Sequence, residues 1–215
     1  MSQAKYNSGV ALWEVDTQAD FMLPGGKLYV PGAEKRIPNM QRLLHSAASS
    51  GIFIISSTDQ HAPNDPEFSR FPPHCVKGTP GAEIVPQLKL AKAVHIQNVP
   101  DANIPSDLFD FQQVVLEKQT LDVFHNPATE KLLREFTPDR EFLVFGVVTE
   151  FCVRLAAKGL LDRHRRVALV TDAIETIDRK QGDAALDELA RRGARLINTD
   201  EALRTFTQSP QKVGH

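Results

Sequence analysis

The chain has 215 residues, 41% hydrophobic and 24% charged, which is long enough for one well-buried α/β domain, and no shift in composition marks a second. A formal net charge of -2 and a pI near 6.4 exclude the electrostatic footprint of a nucleic-acid or anionic-membrane binder. Two cysteines, Cys75 and Cys152, are too few for a disulfide framework, no apolar run approaches membrane-spanning length, and the opening residues lack a basic and then apolar leader, so a cytoplasmic protein is expected.

In chain order, a first strand is predicted over Val10 to Val15 and closes on Asp16. A helix over Gly32 to Ser50 leads into a second strand, Ile52 to Ser56, with Asp59 just beyond it. The Pro- and His-rich stretch Gln60 to Gly81 reads as a long loop, a length that in a compact domain usually serves function. The next strand, Gln113 to Leu116, runs out at Lys118. A helix over Thr129 to Glu135 and a strand over Phe142 to Phe145 follow. After Gly146, Glu150 to Arg163 has the apolar period of a helix, with Cys152 in its first turn. Strand Val167 to Val170, helix Arg179 to Arg192, strand Arg195 to Ile197 and helix Asp200 to Phe206 complete the pattern. The basic run Arg163 to Arg166 reads as a solvated helix end that complements the dipole. Strands apolar almost throughout, separated by helices, imply a three-layer α/β/α fold with a mostly parallel central sheet. Such sheets bind ligands outside the carboxyl ends of their strands, and Asp16, Asp59, Lys118 and Cys152 all fall on that rim.

A thiol at a helix N-terminus sits near unpaired N–H groups and the positive end of the dipole, so Cys152 is expected to have a lowered pKa and to act as a nucleophile. Its bland alternative is core filling. Asp16, following apolar Val15, is the candidate base, and Lys118 the residue that orients it; the alternative is an ordinary ion pair at a sheet end. Within the long loop, at about residues 59–81, Asp59, His61, Glu67 and His74 supply mixed oxygen and nitrogen donors suited to Zn, Mn or Fe. Against this stands a loop with polar caps and a surface histidine. Cys75 has no activating partner in sequence.

The segments "WEVDTQADFMLPGGKLYVPGAE", "STDQH", "FPPHCVKGTPGAE", "LEKQTLDVF" and "FGVVTEFCVRLAA" occur in order and together resemble the isochorismatase-like cysteine hydrolases, most closely the nicotinamidases. The resemblance implies a single isochorismatase-like domain over residues 1–215. It implies a catalytic triad of Asp16, Lys118 and Cys152, and metal ligands Asp59, His61 and His74, with Glu67 as an additional one. It also implies a cis peptide between Val147 and Val148, an oxyanion hole from the amides of Val148 and Cys152, and aromatic walls at Phe21 and Phe71. Two departures stand out: Glu14 replaces an apolar residue of the first strand, and "QTLDVF" lacks the usual Tyr/Ser-containing stretch, so Phe124 or His125 is expected to supply that wall. The implied activity is conversion of nicotinamide and water to nicotinate and ammonia through a cysteine thioester. One divalent ion would assist, Zn or alternatively Mn or Fe. A small amide is then the partner, with no nucleic acid and no membrane, and a homo-oligomer is left open. The competing expectations are a metal-free relative acting on another amide, a carbamoyl compound or a vinyl ether, and a catalytically silent metal-binding protein.

Overall fold

Seven strands make one parallel sheet: β1 (Val10–Val15), β2 (Phe53–Asp59), β3 (Ala93–Ile96), β4 (Gln113–Lys118), β5 (Glu141–Gly146), β6 (Arg166–Ile174) and β7 (Arg195–Ile197). Their order is β3-β4-β2-β1-β5-β6-β7 in a computed structural model that describes residues 9–207. Every residue of β1, β2, β4 and β5 is buried, as expected of parallel strands covered on both faces. The helices are α1 (Ala19–Met22), α2 (Ile37–Ser49), α3 (Pro127–Arg134), α4 (Arg154–Asp162), α5 (Arg179–Arg191) and α6 (Thr199–Thr207). Helix α2 packs with α6, and α4 with α5, so that the sheet is the middle of three layers. Trp13, Phe53, Phe142 and Phe145 are fully buried, and Phe136 links two of them, tilted against Phe53 at 5.4 Å and edge-on to Phe142 at 5.9 Å between ring centroids. Each such ring contributes about 1.5–3 kcal/mol by leaving water.

Several boundaries differ from the sequence expectation for local reasons. The helix expected from Gly32 is a 3-10 turn, Ala33–Arg36, before α2 begins at Ile37, because Gly32 sits at φ +93° and Pro38 belongs in a first turn. β2 continues through Ser57 and Thr58 to Asp59, pairing in register with Leu116, Glu117 and Lys118. β3 was not expected at all. Cys152 lies in a π-helical turn, Thr149–Val153, which precedes α4.

From β1 the chain goes first to β2 on one side and reaches β5 on the other only later. This reversal opens a crevice at the carboxyl ends of β1, β2 and β5, the place where open α/β sheets hold ligands.

Candidate active site

Asp16 follows β1 at φ +50°, in the left-handed region that Asp tolerates better than most residues. Its N–H donates to Ser57 O at 3.0 Å, and the Ser57 hydroxyl donates to Asp16 Oδ1 at 3.3 Å. Lys118, at the end of β4, reaches across the end of β2. Its Nζ pairs with Asp16 Oδ2 at 2.9 Å and with Asp59 Oδ1, and lies 3.6 Å from Cys152 Sγ. Lys118 Nζ thus bridges the Asp16 carboxylate and the Cys152 thiol.

Burial raises the Asp16 carboxyl to about 6, with Lys118 opposing and Asp59 adding to the shift. Burial works against the charge of Asp59 too, but Lys118, His61 and His74 outweigh it and hold that carboxyl well below the usual range. For Lys118 burial favours the neutral amine, and the carboxylates of Asp16 and Asp59 reverse this, keeping it charged. The Cys152 expectation is corrected here. Burial pushes its thiol well above the ordinary value; Lys118 pulls it down, while Asp16 and Asp59 push it further up. A π turn beside two carboxylates does not give the thiolate stabilisation expected of a helix N-terminus.

The turn that carries Cys152 is brought close by Gly146. At φ +121° it lets β5 approach β1 so tightly that a Cβ there would lie 2.0 Å from Val15 O. Val147 N donates to Val15 O at 2.9 Å, and the peptide between Val147 and Val148 is cis. Val148 and Cys152, the expected oxyanion donors, both line the cavity.

Asp59, His61 and His74 form a buried cluster whose donor atoms lie within 4.8 Å of one another. Nε2 of each histidine is 3.8 Å from Asp59 Oδ2. His74 Nδ1 is 2.7 Å from Pro72 O, which places the proton on Nδ1 and the lone pair on Nε2. Both ring nitrogens of His61, Nδ1 and Nε2, are buried without a hydrogen-bond partner. Two imidazole lone pairs and a carboxylate converging in a buried space fit a divalent cation. Glu67 lies beside the cluster and lines the same cavity, its carboxyl raised by burial and by Asp59, but it is not among the three converging groups. Two residues that sequence reasoning did not single out hold the loop. Gln18 accepts Asp59 N–H at 2.7 Å and donates to Asp59 O and Ala82 O, each at 2.7 Å. Asp20 accepts Cys75 N–H at 2.7 Å, next to His74. Cys75 is buried, and burial raises its thiol far above the ordinary range.

The cavity between thiol and cluster is walled by Phe21, Leu28, Phe71, Leu121, Phe151 and Ile177. Phe21 and Phe71 lie 5.3 and 6.4 Å from the His74 ring between centroids. Phe124 and His125 do not reach it. Phe124 stacks on Trp13 at 6.1 Å under the Arg163 guanidinium, packed so closely on Gly159 that a Cβ there would be 2.1 Å from its ring. His125 is exposed, with Nδ1 2.9 Å from Thr120 Oγ1. Leu121 takes the wall they were expected to form. Ile177, also missed, follows the end of β6; an apolar residue at a strand's carboxyl end was the only signal for it.

The Isochorismatase domain model matches residues 10–99 and 96–201. The nicotinamidase of Escherichia coli is 28% identical over 210 residues, covering 86% of this chain and 93% of its own. The nicotinamidase/pyrazinamidase of Mycobacterium tuberculosis is 28% identical over 194 residues, with 87% and 97% covered. Among solved structures, the pyrazinamidase of Pyrococcus horikoshii in complex with zinc superposes with a TM-score of 0.72 at 29% identity, covering 88% of this chain and 99% of that one. A parallel sheet whose switch point carries a thiol, a carboxylate and a lysine, matched nearly end to end by one domain model, makes this chain a member of the isochorismatase family and a hydrolase of the nicotinamidase type.

Proposed function

We propose that the chain converts nicotinamide and water to nicotinate and ammonia through a thioester on Cys152. One observation carries this reading: a thiol bridged to Asp16 by Lys118 shares an apolar, aromatic-walled cavity with the Asp59 and His74 arm of the histidine–carboxylate cluster. Similarity to enzymes named nicotinamidase supports the choice of amide.

Phe21, Phe71 and Phe151 offer edges and faces to a flat heteroaromatic ring. The thiol keeps its proton at rest. As Sγ attacks the amide carbon, ionised Asp16 takes that proton, and the amides of Val148 and Cys152 receive the developing oxyanion. Lys118 stays charged and holds Asp16 against the thiol. The proton on Asp16 passes to the leaving nitrogen, the C–N bond breaks and ammonia departs. Asp16 next takes a proton from the water that attacks the thioester. The C–S bond breaks, nicotinate leaves, and Asp16 returns the proton to Sγ. Asp59, His61 and His74, with Glu67 beside them, would hold a divalent ion, zinc or alternatively Mn or Fe. Bound there, the ion supplies a Lewis acid for a ring nitrogen and so a fixed ring orientation.

Ammonia release from nicotinamide, pyrazinamide, benzamide and an N-carbamoyl amino acid, with and without a chelator, tests this. Nicotinamide should be cut, a chelator should suppress its turnover, and benzamide, without the ring nitrogen, should be far poorer. Equal kcat/KM for nicotinamide and benzamide, or preference for the carbamoyl compound, would overturn the reading.

A further inference from the structure

Asp65 has no part in the chemistry above, yet it turns inward from the exposed stretch Ala62 to Asn64 and its side chain is only 9% exposed. One carboxylate oxygen, Oδ2, lies 3.1 Å from Nδ1 of His61, an ion-pair contact off the line of a hydrogen bond. The other, Oδ1, accepts the backbone N–H of Glu67 at 2.9 Å and caps the 3-10 turn Pro66–Ser69. A single side chain thus touches both His61 and the backbone that carries Glu67.

We infer that Asp65 is a positioning residue for a divalent cation, fixing the tautomer and direction of His61 while placing Glu67 beside it; this rests on reading Asp59, His61 and His74 as metal ligands. A neutral imidazole has one N–H, and an ionised carboxylate can only accept. The Asp65 charge therefore favours the proton of His61 on Nδ1, which leaves the Nε2 lone pair toward Asp59 Oδ2. For His74 the Pro72 carbonyl does the same work from the backbone. Phe68 packs against both rings, 5.3 Å from His61 and 5.8 Å from His74 between centroids, so His61 cannot swing to find another partner without displacing it. Carboxylates that orient metal-binding histidines this way also raise their basicity as ligands.

Asp65→Asn separates this role from simple capping. Asn caps a turn as well as Asp does, so its oxygen can still accept from Glu67 N–H. Its amide nitrogen, however, would present a donor to His61 Nδ1 and favour the tautomer with the proton on Nε2, where the cation must bind. Zinc affinity of the metal-stripped full chain, measured by competition with a chromophoric chelator, should fall by about 10–100-fold in this variant. The melting temperature of the metal-free protein should not change. Imidazole 15N shifts of His61 should report Nδ1–H in the wild type and Nε2–H in Asp65→Asn. Asp65→Ser, which keeps a capping oxygen but no carboxylate, serves if the Asn variant folds poorly, and should also bind zinc more weakly. Wild-type affinity in these variants would overturn the inference and leave the ligand set standing. A wild-type chain that binds no zinc would overturn the ligand set, and the inference with it.

Discussion

In the proposed mechanism the nucleophile forms only as the Cys152 proton moves to Asp16, because burial and the carboxylates of Asp16 and Asp59 keep the thiol protonated. The rate then depends on Asp16 being ionised. Its carboxyl is raised from 3.8 to about 6 by burial, so below that pH it is protonated and cannot accept. We expect kcat/KM for nicotinamide to rise with pH through about 6 and to level off above it, read from a pH profile of ammonia release. Asp16→Asn should lose about 10²–10⁴-fold and abolish that limb. A profile flat through this range would remove Asp16 as the base. Asp16, Asp59, Lys118 and Cys152 were legible in the sequence because each stands at or just past a strand's carboxyl end. The protonation state of the thiol was not, since it depends on carboxylates from two other strands.

The loop after β6 is tied to the nucleophile turn. Thr149 donates from N and Oγ1 to Glu175 O at 2.8 and 2.7 Å. Glu150 accepts from Thr176 Oγ1 at 2.6 Å, Ile177 N at 3.0 Å and Asp178 N at 2.9 Å. Ile177 is thereby held at the cavity mouth with 52% of its surface exposed, an apolar side chain awaiting an apolar contact. Ile177→Ala should lower kcat/KM for nicotinamide by about tenfold, mainly through KM, because it removes contact with the ring and leaves the thiol and base in place. Steady-state kinetics with KM unchanged would contradict that. No sequence pattern reveals this wall, because hydrogen bonds donated to Glu150, distant in the chain, place it. β1 and β5, apolar runs between turn signals, were read nearly to the residue. The carboxyl end of β2 was not: Ser57, Thr58 and Asp59 are polar yet buried, with Ser57 donating to Asp16 and Asp59 pairing with Lys118. β3 escaped because it is a half-exposed edge strand of four residues that carries His95.

Across the molecule, Glu14 joins three strands of the sheet. It accepts from Thr17 Oγ1 at 2.6 Å, from Gln113 Nε2 at 2.9 Å and from the Ser56 hydroxyl, while burial raises its carboxyl from 4.5 to about 7 against those hydrogen bonds. The folded chain then binds this proton more tightly than the unfolded one. The resulting stability is complete below about 4.5, is lost as pH rises through about 7, and amounts to about 3 kcal/mol. Glu14→Gln has no charge to bury, and the two hydroxyls can turn to accept from its amide. Its melting temperature relative to wild type should therefore climb between pH 5 and pH 8, roughly the window set by that raised carboxyl. A difference independent of pH would show that Glu14 does not titrate there. The same sheet brings Cys152, Asp16 and Lys118 together at the switch point between β1 and β5, beside the cluster of Asp59, His61 and His74. Ammonia release from nicotinamide by metal-loaded wild type, Cys152→Ala and Cys75→Ala, assayed side by side, tests that claim most directly. The account predicts one ammonia per nicotinate in wild type, near wild-type turnover in Cys75→Ala and none above background in Cys152→Ala; no ammonia from the wild type, or undiminished release by Cys152→Ala, would contradict it.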